Sequence, residues 1–318
     1  MIKLAKGSFE TDETFSISYL DPSGFSKFSR CPAAYMFSRL MGLILPDASR
    51  IALDFGTCLH LAVPYCYDAE TLDEGCEVFR DAWFSFGYGE DDPKRNTMRG
   101  IDTLKNFHQH RCPGKCPYTI QSFPNIESPE GCHRVNDNEI PFLIDVGAVF
   151  PMAGRMDFAA KWMIDSKIYA ADYKSTSEIS GRWQTSFWNS PQTLAYTLAM
   201  AHILGETPPG MIVEGLRVSP RNDEVTMFTS DVHPHMLESF IVEFMAAANT
   251  IKWMNENHIW PKKCSGCQPY AMFGQPGYQC EYNLICSSSH PESIVTLYQR
   301  EEPYHPFKMY DRVIKKGA

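Results

Sequence analysis

Positive charge is scarce in this chain, and long apolar runs are missing. It has 29 Lys and Arg against 38 Asp and Glu, a formal net charge of −9 over 318 residues. That balance argues against adhesion to a polyanion through bulk charge, but it leaves room for a local basic strip beside an acidic site. No run of about 18 apolar residues occurs, which argues against a membrane-spanning helix. The opening MIKLAKGSFETDETF carries no apolar segment ahead of a small-residue cleavage site. Neither secretion nor membrane insertion is therefore expected, and cytoplasm is the expected compartment. Internal repeats and low-complexity tracts are absent, as is the phosphate-cradling G-x4-G-K-[ST] loop of a nucleotide-driven motor.

What is present bounds the fold. With 44% hydrophobic and 13% aromatic residues the chain can bury a substantial core, as one large domain or two smaller ones. Eleven cysteines without a leader read as reduced thiols and metal ligands rather than a disulfide framework. Helical periodicity covers residues 23–43, 51–65, 69–86 and about 94–110, with no strand pattern among them. The texture changes at EIPFLIDVGAVF, from Glu139. Two strands are then expected over 154–164 and 167–175, a long helix over about 183–204, a strand pair near 211–218 and 224–229, and a helix over 231–257. Beyond Trp260 the chain is rich in Cys, Gly, Pro and Tyr as far as Cys286 and has little periodicity. The expected division is 1–130, mainly helical; 131–258, an α/β core; and 259–318, a Cys-rich cap.

The segment GRMDFAAKWMIDSKIYAADYK, Gly154 to Lys174, is the most informative. With Asp165 and Ser166 as a two-residue turn, paired positions sum to 331, so Asp157 opposes Lys174 and Ala159 opposes Asp172. Alternation at period two then puts Asp157, Asp172 and Lys174 on one face, and Phe158, Trp162, Ile164, Tyr169 and Tyr173 on the other. Converging carboxylates repel unless a cation lies between them, and hard oxygen donors suit Mg²⁺ or Mn²⁺. A lysine on the same face can orient water or meet charge developing on a phosphate. The plainer alternative is a surface ion pair between Asp157 and Lys174.

Further residues fall into an ordered series. Gly56 and His60 form G-x3-H; Gly154 and Asp157 form G-x2-D; Asp172 and Lys174 form D-x-K; Gln192 and Tyr196, four apart on one helical face, form Q-x3-Y. In this order and spacing the chain resembles the RecB-type branch of the PD-(D/E)XK nuclease superfamily. The resemblance implies a restriction-endonuclease-like α/β fold, with a mixed central sheet flanked by helices, a helical N-terminal region and a Cys-rich C-terminal cap. It implies that His60, Asp157 and Asp172 hold Mg²⁺ or Mn²⁺, that Lys174 serves the hydrolytic water, and that Gln192 and Tyr196 lie beside the site. Glu139 is a further acidic candidate. The implied substrate is DNA, single-stranded or presenting an end, with any helicase or recombination partner a separate chain. A double-strand exonuclease or endonuclease of the same fold, and a non-catalytic DNA-binding scaffold carrying a metal cluster, are the rival readings.

Sulfur forms a second constellation. Cys264, Cys267, Cys280 and Cys286 fall within 23 residues, and on spacing alone they suit zinc or an iron–sulfur cluster equally. The AddB-type and CRISPR-associated relatives hold an iron–sulfur cluster, of the 4Fe–4S kind, with one N-terminal "CP" cysteine and three near the C-terminus. By that resemblance Cys31, Cys267, Cys280 and Cys286 are the ligands. Cys264 is the alternative to Cys267, because the chain has Gly277 and Tyr278 where relatives often place the middle ligand. His108, His110, Cys112, Cys116, Cys132 and His133 match no defined zinc pattern and read as a surface loop. Lys94 to Lys115 holds six Lys or Arg against Asp102 alone, either a strip for a DNA backbone or a solvated helix face.

Overall fold

The computed structural model describes residues 2–5, 8–45, 50–89, 92–123, 139–219, 224–263, 267, 280–302 and 305–307. The chain forms two compact units whose segments interleave along the sequence. One comprises Met1–Ala48, Leu143–Ala153 and Ser239–His305; the larger comprises Ser49–Phe142, Gly154–Glu238 and Pro306–Ala318.

The larger unit is built on a five-stranded mixed sheet in the order Glu224–Asp231, Gly210–Arg217, Ile168–Thr176, Phe158–Trp162, Tyr118–Ile120. Every neighbouring pair is antiparallel except Ile168–Thr176 with Gly210–Arg217, which run parallel. That parallel step requires a crossover, supplied by the helix Pro191–Leu204. Ser190 caps this helix by accepting from the Thr193 amide, Pro191 fills its first turn, and Gly205 ends it at φ 72°. The helix packs on the face of Ile168–Thr176 that carries Asp172. The helix Ile51–Ala62 covers the opposite face, where Gly56 approaches Ser175 so closely that a Cβ would stand 3.0 Å from its Oγ.

Beneath that second helix lies the main core. Phe55, Phe79, Trp83, Leu104 and Phe107, from the helices Ile51–Ala62, Leu72–Ser85 and Thr97–Arg111, bury against Phe158, Tyr173, Ile212 and Leu216. Phe158 and Tyr173 stack across adjacent strands at 4.6 Å between centroids. Each such side chain contributes about 2–3 kcal/mol through removal from water. The expected greasy face of the hairpin is thus largely this core, with one correction. Ile164 is 82% exposed, because Met163–Ser166 forms a four-residue turn and the first strand ends at Trp162.

The smaller unit holds a three-stranded sheet, Ile2–Ala5, Ser8–Thr11 and Ile259–Pro261, and the long helix Pro234–Glu256, whose residues from Ser239 onward belong here. Phe240 and Phe244, one helical turn apart, bury against Phe25.

Several boundaries differ from the sequence reading. The expected helix 23–43 is interrupted at Cys31, whose extended backbone separates Pro22–Arg30 from a new helix starting at Pro32. The expected helix 183–204 is two helices, Gly181–Thr185 and Pro191–Leu204, separated by a turn with Asn189 at φ 56°. Short strands at 2–5, 8–11, 43–44 and 118–120 lie in the region read as helical; each spans only two to four residues, too few for alternation to show. Among the described residues no helix is long and apolar enough to cross a membrane.

Candidate active site

The hairpin that carries the ionisable residues is broken where its first carboxylate sits. Residues expected as one strand form two, Met152–Met156 and Phe158–Trp162, and Asp157 belongs to neither. The first pairs with Ile140–Ile144, the second with Ile168–Thr176. Pairs in the second ladder are Phe158 with Ala171 and Ala159 with Ala170, so positions sum to 329 rather than 331. The four-residue turn accounts for the two-residue slip. Because four is even, the parity that aligns Asp157 with Asp172 and Lys174 survives.

Release from the ladder lets the Asp157 carboxylate turn inward. Its Oδ2 accepts from the Tyr173 amide at 2.7 Å and faces His60 Nδ1 at 3.3 Å. His60 stands on the helix Ile51–Ala62, edge-on to the Tyr173 ring. Asp172, 1% exposed, forms an ion pair with Lys174 Nζ and receives Gln192 Nε2 on Oδ1 at 3.1 Å. Gln192 also reaches the Tyr196 hydroxyl at 3.0 Å. All six residues of the ordered series that bear functional side chains therefore meet within the larger unit.

Glu139 joins them. Its buried carboxylate, the His60 imidazole and the Asp157 carboxylate each offer a ligand atom, all within 4.8 Å of one another. Glu139 adopts φ 65°, a left-handed conformation rare for a non-glycine residue, while its amide donates to the Asp157 carbonyl at 2.6 Å. Arg155 Nε lies 3.4 Å from its Oε2. Gly154, in the same strand, makes room for an aromatic contact: a Cβ there would stand 2.4 Å from the Phe142 ring, which packs edge-on to Tyr196.

The electrostatics follow from burial set against pairing. Burial opposes charge on His60, but the adjacent Asp157 carboxylate outweighs it and raises the imidazole pKa. Burial would lift the Asp157 carboxyl, yet His60, Lys174 and the Tyr173 amide hold it below the usual carboxylate range. Asp172 is pushed up to about 6 by burial, with Lys174 opposing and Asp157 assisting. Burial works against the Lys174 ammonium, but Asp172 and Asp157 raise its pKa. One imidazole and hard carboxylate oxygens suit Mg²⁺ or Mn²⁺. A cation among them would offset the repulsion between Asp157 and Asp172, so the donor set fits the metal.

Sequence reasoning missed the polar chain under this site. Glu214, fully buried on Gly210–Arg217, takes a two-pronged bond from Arg111, Nε to Oε1 at 2.7 Å and Nη2 to Oε2 at 3.0 Å. Tyr118, beside Glu214, counters the upward push of burial on its carboxyl. Tyr67 then links the Tyr118 and Tyr173 hydroxyls at 2.8 and 2.7 Å. A lone glutamate in the apolar run MIVEGLRV was the available signal. Arg111 is consequently buried and drops out of the basic strip read over residues 94–115.

Cys31, Cys267, Cys280 and Cys286 lie in the smaller unit. Burial and then the neighbouring Cys267, Cys31 and Cys280 push the Cys286 thiol up to about 12. Cys280 is raised mainly by burial, with Cys31 contributing. The Cys280 amide donates to the Cys267 carbonyl at 3.0 Å, and Lys27 pairs with Glu281 at 2.9 Å, tying the helix Pro22–Arg30, which ends at Cys31, to the C-terminal segment. Cys267, Cys31 and Cys280 therefore lie close enough to Cys286 to act on its thiol. Cys264 lies outside the described residues, as do Cys132 and His133. His108 Nδ1 instead faces the Cys66 carbonyl and His110 Nδ1 the Asn106 carbonyl of its own helix, each at 2.9 Å.

A profile of the PD-(D/E)XK nuclease superfamily matches residues 19–272. Nine chains of solved structures match. One is a crystal structure of a presumptive exonuclease from Eubacterium rectale, 13% identical, covering 85% of this chain and 94% of that one, with a TM-score of 0.40. No curated protein matches.

Proposed function

Because the chain belongs to the PD-(D/E)XK nuclease superfamily and has its restriction-endonuclease-like α/β fold, we propose that it is a RecB-like, Mg²⁺- or Mn²⁺-dependent exonuclease acting on single-stranded DNA or DNA ends. The convergence of His60, Glu139 and Asp157 beside the Asp172–Lys174 pair carries this reading. His60, Asp157 and Asp172 would hold the cation, with Glu139 as a third carboxylate. A divalent ion in that setting supplies Lewis acidity toward a phosphate oxygen and toward the attacking water.

The protein groups do the rest. Lys174, whose side chain is 27% exposed beside the fully shielded Asp172, presents its ammonium where a phosphate would lie and stabilises charge developing on it. Gln192 fixes the Asp172 carboxylate and is itself braced by Tyr196. The Tyr173 amide and His60 fix Asp157. In the smaller unit, Cys31, Cys267, Cys280 and Cys286 would bind a structural 4Fe–4S cluster that staples the N-terminal helices to the Cys-rich segment; the mutual proximity of these thiols supports that assignment. The basic residues between Lys94 and Lys115, Arg111 excepted, would guide the DNA backbone, and unwinding would fall to a separate helicase.

The test is degradation of end-labelled single- and double-stranded DNA with Mg²⁺ and Mn²⁺, by protein prepared without oxygen. Wild type is expected to cleave, and Asp157→Ala, Asp172→Ala and Lys174→Ala each to lose at least about a hundredfold in rate while remaining folded at the assay temperature, as circular dichroism checks. Normal cleavage by any of these variants would overturn the assigned roles. The same preparation is expected to be brown and to contain iron and sulfide; a colourless protein with stoichiometric zinc would overturn the cluster.

A further inference from the structure

Resting on that reading, the segment between Lys174 and Gln192 adds a place for substrate. It leaves the site at Lys174, which pairs with Asp172, and returns at Gln192, which donates to the same carboxylate at 3.1 Å. Residues 175–191 are thus an excursion with both stems on one catalytic carboxylate. Trp183, on this excursion, packs on Gly215, the position paired with Lys174 in the next strand, so this part of the excursion lies along the sheet face that carries Asp172 and Lys174.

The excursion is held down firmly. Trp183 packs against Gly215, where a Cβ would meet the indole at 2.6 Å, and against Phe187 and Phe228 at 5.1 and 5.6 Å. The Phe187 carbonyl accepts from two fully buried hydroxyls, Thr193 Oγ1 at 2.8 Å and Ser230 Oγ at 3.1 Å. Asn189, at φ 56°, turns the chain into the cap at Ser190. Between these anchors Trp188 is left 61% exposed, and Arg182 is exposed on the same excursion. A solitary surface tryptophan is ordinary. A tryptophan on a turn locked by two buried hydroxyls, four residues from a side chain that touches the catalytic carboxylate, is a presented group.

We propose that Trp188 is a stacking platform for one unpaired base of the substrate. An indole face accepts any base, because stacking does not read its hydrogen-bonding edge, but it cannot engage a base still held inside a duplex. The excursion would therefore select single strands and frayed ends without sequence preference.

The experiment measures binding of fluorescent oligothymidylate and of a blunt duplex hairpin by anisotropy, with full-length protein and Ca²⁺ in place of Mg²⁺. Trp188→Ala is expected to weaken single-strand binding about five- to a hundredfold, the range of one base–aromatic stack, and to leave duplex binding unchanged. Trp188→Phe should restore most of the loss. An otherwise identical strand of abasic units should bind wild type and Trp188→Ala alike. Equal affinity of wild type and Trp188→Ala for oligothymidylate, or an equal loss on both DNAs, would overturn the proposal. Melting temperatures of both variants establish that folding is intact. Cleavage by wild type reports separately on the nuclease reading: cleavage without a Trp188 effect defeats only the platform, and Trp188-dependent binding without cleavage defeats only the nuclease.

Discussion

The Arg111–Glu214 pair gives the sharpest energetic forecast. Glu214 has no exposed surface and Arg111 is 9% exposed, so neither charge is screened by water. Replacing Arg111 with Met keeps the stem volume but leaves a buried carboxylate without its two-pronged partner. Breaking a buried pair from one side costs about 3–5 kcal/mol. At about 2–4 °C per kcal/mol for a domain of 150–250 residues, melting should fall by roughly 6–20 °C. The double variant Arg111→Met, Glu214→Leu removes both charges and should recover most of that loss. A pH series supplies an independent check. Burial raises the Glu214 carboxyl pKa even beside Arg111, and without Arg111 it rises further. A carboxyl whose folded pKa lies above its unfolded value binds its proton more tightly in the native state, so the penalty in Arg111→Met is complete above the folded pKa and shrinks as pH falls. Thermal melts followed by circular dichroism at pH 7.5 and pH 5 measure all three proteins. An Arg111→Met protein melting within about 2 °C of wild type at pH 7.5 would refute the reasoning.

Two further outcomes follow from the site. Protons should compete with the cation, because Asp172 is pushed up to about 6 and His60 is raised too; titration calorimetry should find apparent Mn²⁺ affinity at least about tenfold weaker at pH 5 than at pH 7, and a flat profile would sink the idea that these groups bind it. Gly154→Ala puts a methyl 2.4 Å from the Phe142 ring, which supports Tyr196; the overpacking should cost about 1–3 kcal/mol of stability, and wild-type melting with wild-type cleavage would contradict the packing described.

Much of this was legible in the sequence because the relevant patterns are periodic. Ile168–Thr176, Gly210–Arg217 and Glu224–Asp231 alternate or run apolar between turn residues, and Gln192 and Tyr196 fall one helical turn apart. The break at Asp157 was not legible, since Asp157 stays in phase with the strand on either side and its reason for leaving the ladder is a bond to the amide of Tyr173. The two-residue slip came from reading Met163 and Ile164 as strand, when apolar residues at a turn look the same as apolar residues on a sheet. Glu139 reaches the site through a left-handed backbone that no residue type signals, glycine excepted. The Arg111–Glu214 bond joins residues 103 positions apart and leaves only one hint, a charge in an apolar run.

The order of strands in the central sheet also bears on when the site comes into being. Phe158–Trp162 with Ile168–Thr176, and Gly210–Arg217 with Glu224–Asp231, are local hairpins that close short loops. The step joining them is the parallel pairing of Ile168–Thr176 with Gly210–Arg217, which must wait for a crossover of more than thirty residues, and non-local parallel pairing is the slow kind. That same step seats Pro191–Leu204 and brings Gln192 onto Asp172. The contact between Gln192 and Asp172 thus depends on a non-local pairing of the sheet and not on either hairpin alone.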